Sequence, residues 1–409
     1  MSRCGEEALG RHGETLTGPE ATEGPPAGAP GKATEPVRSP RRLLQEPSQD
    51  GSTTARSVYI HIPFCRRRCD YCAFATFSDR SFLVDAYVKA CVTAIEASRS
   101  LVLETPVETV FIGGGTPSLL DPESVRSLLS AVEPAKDAEV SLECNPDDVT
   151  EEILSGYLAA GVNRISLGVQ SLRPHVLAGL GRIHDPEAVY RAVELIGKLH
   201  VPRFSVDLIY GAVAESDADW QASVEGVLGL VPRPSHVSAY GLTVEPGTPL
   251  HRDPARHPDD DVEATRYEIA DSAFERAGLS WYEISNWAVP GEECRHNLNY
   301  WSSENYAGIG SAAHAHFGGV RSFNVRTPER YIAAIAEGRS PVAGREVLSA
   351  KARHLEQLEL ALRTSDGVAS DALPVDPLIE DLVVRDAGRA VLSRKGRLLA
   401  NEVLCRLVC

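Results

Sequence analysis

Short apolar, β-rich runs recur from Ser57 onward, and amphipathic stretches lie between them. The runs are "VYIHI" (58–62), "ETVFIG" (108–113), "EVSLEC" (139–144), "RISLGV" (164–169), "FSVDLIY" (204–210) and "HVSAYGL" (236–242), and each reads as a strand. The stretches between them, such as "SFLVDAYVKACVTAIEAS", "DPESVRSLLSAV", "TEEILSGYLAAG" and "DPEAVYRAVELIGKLH", read as helices. Several open on Asp-Pro or Thr-x-Glu, as N-caps do. Strand alternating with helix at this interval means parallel βαβ units. Six or so units without a dinucleotide-binding fingerprint favour a barrel or partial barrel. A flavodoxin-like open sheet is the alternative.

The polar oddities fall at one place in each unit. Cys65 follows the first strand, and "GGGTP" (113–117) follows the second. Glu143 ends the third, Gln170 ends the fourth, and Asp207 sits late in the fifth. Functional groups of a parallel barrel gather at the carboxyl ends of its strands, so these residues converge on one mouth.

Both ends of the chain differ from this middle. Residues 1–56 are rich in Pro, Gly, Glu, Thr and Ala, and residues 1–55 contain no Phe, Tyr or Trp. Such a segment reads as a disordered tail, because it has too little apolar surface to offset its ordering entropy. The ordered middle, 57–345, gives way near residue 345 to a different rhythm. Residues 346–409 read as a helix, then helix, short hairpin around "DAGRA" and helix, which suits a small winged-helix-like unit. A winged helix invites a DNA-binding reading. The net charge of −16 favours a packing or lid role instead, since sequence-independent nucleic-acid binding needs a basic surface. No apolar run reaches membrane-spanning length and no secretory signal opens the chain, which points to the cytoplasm. Thiols stay reduced there, so the nine cysteines read as ligands or free thiols.

Three of those cysteines carry the chemistry. In "YIHIPFCRRRCDYCAF" the spacing Cys-x-x-x-Cys-x-x-Cys falls at Cys65, Cys69 and Cys72. Thiolates select soft metals: zinc, copper(I) or iron–sulfur. A zinc site completed by His61 or by a distant cysteine is the structural alternative. No second cysteine pair of the kind zinc recruits is present, and three thiolates leave one position open for another ligand. Iron–sulfur is therefore preferred.

These motifs resemble the radical S-adenosylmethionine (SAM) superfamily, with "CRRRCDYC" after the first strand and "GGGTP" after the second. The resemblance implies a [4Fe–4S] cluster held by Cys65, Cys69 and Cys72, with SAM on the fourth iron. It also implies a partial (β/α)6 barrel, which agrees with the six units. "SLECNPDDVT", "NRISLGVQSL", "VDLIYGAVAES" and "GIGSAAHAHF" extend the likeness to the group of oxygen-independent coproporphyrinogen III oxidase and its relatives, over about residues 57–409. By this resemblance Tyr59, Gly114, Gly115, Thr116, Glu143, Gln170, Arg182 and Asp207 form the SAM site. Their chemistry agrees: carboxylates suit ribose hydroxyls and an ammonium group, and a guanidinium suits a carboxylate.

"HNLNYW" (296–301) resembles the His-Asn-x-x-Tyr-Trp motif of HemW-type heme chaperones. His296 is a candidate heme ligand, with Tyr300 and Trp301 as ring contacts. His314 and His316 in "SAAHAHF" are further candidate ligands. Cys294 reads as a free thiol, and Cys4, Cys91, Cys144, Cys405 and Cys409 lack metal spacing. Two functions compete: a heme chaperone, and an oxidase that decarboxylates coproporphyrinogen III. The oxidase carries another cysteine two residues after the third cluster cysteine, where this chain has Phe74. Together with "HNLNYW", this tips the expectation to the chaperone. The implied partners are a heme-accepting protein and an electron donor; a homodimer is left open.

Overall fold

The computed structural model describes residues 54–103 and 106–408. Of the tail read at 1–56, residues 1–53 lie outside the described residues, as do Cys4 and Cys409. Six parallel strands run β1 (Ser57–Ile62), β2 (Val107–Gly114), β3 (Pro134–Cys144), β4 (Arg164–Gln170), β5 (Arg203–Tyr210) and β6 (His236–Gly241), each paired with its successor. All six strands read from the sequence are present. The helices between them carry the anticipated caps. Asp121 accepts from the Ser124 N–H at 2.9 Å, Thr150 from Ile153 at 3.2 Å and Asp185 from Glu187 at 3.1 Å.

The strands are amphipathic across the sheet, with the apolar face outward. Ile60, Ile112, Leu142, Leu167 and Val206 are wholly buried in the main core. Their immediate neighbours along each strand turn to the barrel interior, as the two-residue pleat requires. The interior is polar: Thr109 donates to Ser57 Oγ at 2.9 Å, Ser205 to Ser166 at 3.0 Å, and Ser166 to Asp207 at 2.8 Å.

The barrel does not close. On one side β6 continues antiparallel into β8 (Asn286–Ala288) and β7 (Ser280–Glu283). On the other, β1 pairs parallel with β9 (Tyr306–Ile309). Beyond β9 follow β10 (His314–Phe317), β11 (Val320–Asn324) and β12 (Val342–Val347), all antiparallel to their neighbours. The result is one twelve-stranded sheet among the described residues: a partial barrel with an extension grown from its β1 edge. The β/α rhythm did not announce these outer strands, because all but β12 are only three to five residues long.

The C-terminal residues build their own core around Leu362, Leu382 and Val403. The Ala350–Leu362 helix precedes a small sheet in which β15 (Arg389–Leu392) lies between β13 (Val368–Ala369) and β14 (Val383–Asp386). The β14–β15 hairpin turns at Asp386–Arg389, as read from "DAGRA". The helix expected before it is a single 3-10 turn, Glu380–Leu382. Pro377 lacks an N–H and leaves too little chain for more. Behind the hairpin, Arg397 makes a bidentate pair with buried Asp271, both N–H···O distances 2.9 Å. It also lies over the Trp281 ring at 4.6 Å. Removing one partner strands the other's buried charge. Asp271→Ala should therefore destabilise the protein by about 3–5 kcal/mol. Arg394→Ala, which removes a half-exposed partner of the same carboxylate, should cost under about 1 kcal/mol. Thermal denaturation of the two variants checks the contrast; equal losses would show that the Arg397 pair carries no special weight.

Candidate functional site

The loop after β1 folds back on itself. Cys65 N–H donates to Phe77 O at 3.1 Å, Phe77 N–H to Pro63 O at 2.7 Å, and Cys72 N–H to Cys69 O at 3.2 Å. This brings Cys65, Cys69 and Cys72 to one rim of a cavity of about 410 Å³ at the strands' carboxyl ends. That volume lies within the usual range for small-molecule sites. Thr116 Oγ1 donates to Cys65 Sγ and Arg182 Nη1 to Cys69 Sγ, both at 3.5 Å. Burial pushes the Cys65 and Cys72 thiols up, and the neighbouring cysteines add to the effect. A cationic iron group at this rim would relieve both penalties, which is the sense in which the donor set fits a cluster. Among the described residues, no three His, Cys, Asp or Glu side chains converge on a single-ion position. His61 does not complete the set. Its Nε2 faces the Ala75 carbonyl at 3.2 Å, so that nitrogen carries the proton, and its Nδ1 faces Tyr59 OH at 3.0 Å.

The glycine run opposite is shaped by the cysteine loop. Gly114 has φ +117°, and a Cβ there would lie 2.5 Å from the His61 ring. A Cβ on Gly115 would lie 2.6 Å from Phe64 O and 3.0 Å from Cys65 Sγ. A side chain at Gly114 would collide with His61 on β1, and one at Gly115 would push the cysteine loop away. Gly114 N–H donates to Glu143 Oε2 at 2.9 Å, which ties β2 to the acidic wall of the cavity.

That wall holds Glu143 and Asp207. Burial, reinforced by the charge of Asp207, pushes the Glu143 carboxyl up to about 7. Burial also raises Asp207, against hydrogen bonds from Ser166 and Ser238. Arg182 stands across from them, with Nη2 donating to Asn145 Oδ1 at 3.0 Å and to Gly168 O at 2.9 Å. Gln170 reaches the cavity from a β-bulge, with φ +65°. A non-glycine residue in the left-handed region at a strand end is a feature found at functional sites. The cavity is thus lined by Gly114, Gly115, Thr116, Glu143, Gln170, Arg182 and Asp207 together with the cysteines. Tyr59 is the exception: it sits below the cavity, stacked on Phe111 with ring centroids 6.3 Å apart.

Sequence reasoning passed over Tyr240, Asn145 and Ser166, which also line the cavity. Tyr240 sits near the carboxyl end of β6, where the strand-end rule points. Ser166 was legible as an inward position of β4.

The Arg295–Trp301 helix lies on the open flank of the barrel. His296 is wholly buried, with both ring nitrogens engaged: Nδ1 with Thr109 Oγ1 at 2.9 Å and Nε2 with Tyr300 OH at 2.8 Å. Burial lowers its imidazole to about 3. Phe111 stacks on it at 5.3 Å, and Tyr300 packs edge-on against Tyr306 at 4.6 Å. Tyr300 and Trp301 are half-buried. His316 is held by Glu304 O and Gly319 N–H, whereas His314 is exposed. Cys294 is buried and donates to Glu139 Oε1 at 3.3 Å, and Cys91 and Cys144 are buried in the main core.

The raised Glu143 carboxyl makes stability pH-dependent. Between its ordinary value of 4.5 and about 7 the folded state holds the extra proton. Stability from this group is therefore full below 4.5 and is lost as pH rises through 7. Glu143→Gln cannot ionise, yet its amide oxygen can still accept from Gly114. Its melting temperature relative to the parent should rise from about pH 5 to about pH 8. A flat difference across that range would show that Glu143 is ionised throughout.

Residues 59–226 match the family described as the radical SAM superfamily. The heme chaperone HemW of Mycobacterium tuberculosis (strain ATCC 25618 / H37Rv) is 41% identical over 374 residues, covering 86% of this chain and 94% of the relative. The heme chaperone HemW of Bacillus subtilis (strain 168) is 34% identical over 85% of this chain and 98% of its own. Among solved structures, coproporphyrinogen III oxidase (HemN) from Escherichia coli, a radical SAM enzyme, superposes with a TM-score of 0.75 at 20% identity over 91% of both chains. At that identity the likeness speaks for the fold: a radical SAM partial barrel. With the HemW relatives aligned over most of its length, the chain belongs to the HemW heme chaperone family within the radical SAM superfamily.

Proposed function

We propose that this chain is a heme chaperone that binds a [4Fe–4S] cluster, SAM and heme, and passes heme to an acceptor protein. The observation that carries this reading is the meeting of three cysteines, two buried acids and a guanidinium in one cavity, beside a helix bearing His296, Tyr300 and Trp301. Cys65, Cys69 and Cys72 would hold the cluster, which supplies an open iron and a transferable electron when bound. Glu143 and Asp207 are placed to accept from an ammonium or ribose hydroxyls, and Arg182 to receive a carboxylate. Thr116 and Arg182 donate to two of the sulfurs and so orient the cysteine loop. An electron donor and a heme-accepting protein are the partners this role requires.

Phe74 favours chaperone over oxidase. It is 65% exposed on the cavity rim, where the oxidase pattern has a cysteine. Anaerobic reconstitution should load about four irons and four sulfides per chain. The variant with Cys65, Cys69 and Cys72 all changed to Ala should load neither. The reconstituted protein should shift the Soret band of added hemin and leave coproporphyrinogen III unconverted. Turnover of coproporphyrinogen III without hemin binding would overturn the reading.

A further inference from the structure

The inner face of the β9–β12 extension is a surface the cavity does not use. Across it the registers set residues in two rows. Tyr306, His316, Arg321 and Glu346 stand side by side in one. His314, Phe323 and Gly344 form the other. Residues opposed in an antiparallel pair share a face, and so do residues two apart on one strand.

The two rows differ in kind. The first is internally satisfied: Arg321 is paired with Glu346 and Glu356, and His316 with Glu304 O and Gly319 N–H. The second is open. The Phe323 ring lies across Gly344, which has no side chain to hold it off, and the residue is 42% exposed. His314 is tilted against it with ring centroids 5.7 Å apart. Neither ring nitrogen of His314 has a hydrogen-bond partner among the described residues, in contrast to His61, His296 and His316. Gly308 gives it a bare neighbour on the barrel side, since a Cβ there would collide with the His314 carbonyl.

A flat apolar ring beside an unengaged imidazole suits a planar macrocycle with a metal at its centre. A charged group is also at hand. Val325 O accepts from Ala312 N–H at 2.9 Å, which sets the 324–326 segment beside the start of β10. The next residue, Arg326, is exposed and has no hydrogen-bond or ion-pair partner among the described residues. A guanidinium there complements peripheral carboxylates. The other wall is the heme segment itself, because Tyr300 packs on Tyr306 and Tyr306 neighbours His316.

We infer that His314 supplies the axial imidazole for heme on this face, with Phe323 under the ring and Arg326 toward a propionate, while His296 is a positioning residue. This rests on the heme-chaperone reading and assigns its ligand. His296 can reach an iron only by giving up Tyr300 and leaving a sealed site; His314 gives up only solvent.

Hemin titration of the full chain tests it, followed by the Soret band, with the parent, His314→Gly, Phe323→Ala and His296→Ala. For His314→Gly, the affinity should fall by about tenfold or more, at least what loss of an outer-shell partner of a metal ligand costs. Added imidazole should restore the parent's Soret position in that variant, a readout that a packing role would not produce. Phe323→Ala should weaken binding and keep the parent's band position. His296→Ala should melt at lower temperature and keep the band position. A His314→Gly protein with the parent's affinity and spectrum overturns the inference, while the heme reading stands. A parent that binds no hemin overturns the heme reading itself.

Discussion

A buried ion pair at the floor of the barrel holds the architecture together. Glu139 on β3 accepts from Arg164 Nε on β4 at 3.1 Å, and Arg164 Nη2 donates to the carbonyls of Glu292 and Glu293. The remaining Glu139 oxygen accepts from His296 N–H at 3.1 Å and from the Cys294 thiol. Both side chains are nearly inaccessible, so each charge depends on the other and on the backbone groups around it. A barrel lined with Ser, Thr, Glu, Arg and His has no apolar plug. Its open flank is instead sealed by a helix whose first turn is bonded to Glu139. The same bonds that satisfy the interior therefore fix where His296, Tyr300 and Trp301 stand.

At the other end of the barrel the balance is left incomplete. Glu143 and Asp207 share a wall, and Arg182 is spent partly on Asn145, Gly168 and Cys69. Two buried carboxyls without a full complement of positive charge are costly to ionise, which is why Glu143 is pushed so far up. A ligand that brings an ammonium group and hydroxyls into this cavity would supply the missing partners. The floor is closed by internal bonds, whereas the mouth keeps two carboxyls that no cation of the chain fully matches.

The positions of the core strands and of most cavity residues were legible in the sequence, and the reasons are local. Period-two alternation places Glu143 and Asp207 on the inward face, and the cysteine spacing needs only one loop. The accessibility of His296 was not legible. "HNLNYW" gives residue types suited to a porphyrin, but burial of His296 arises from Thr109, Phe111 and Glu139, which lie more than 150 residues away in sequence. The extension strands were missed for a similar reason: β10 is four residues long, and its partners β9 and β11 give it order. His314 and His316 share a motif and a strand face. Only the tertiary environment separates the satisfied imidazole from the open one.

The extension and the cavity also share a boundary. His61 lies on β1 between them: it accepts from Tyr59 below, bonds Ala75 O in the cysteine loop, and is near enough to His314 for their charges to repel. The Ala75 end of that loop follows Cys72 and the exposed Phe74, so the segment that carries the third cysteine also packs over His61. Gly114, pressed against the His61 ring, leaves that side chain no room to turn. A displacement of the 73–77 loop must therefore be taken up by His61 or by the Phe64–Phe77 bridge that anchors it. The grouping of Cys65, Cys69 and Cys72 and the surface beside His314 are mechanically adjacent, joined through His61, which belongs to neither.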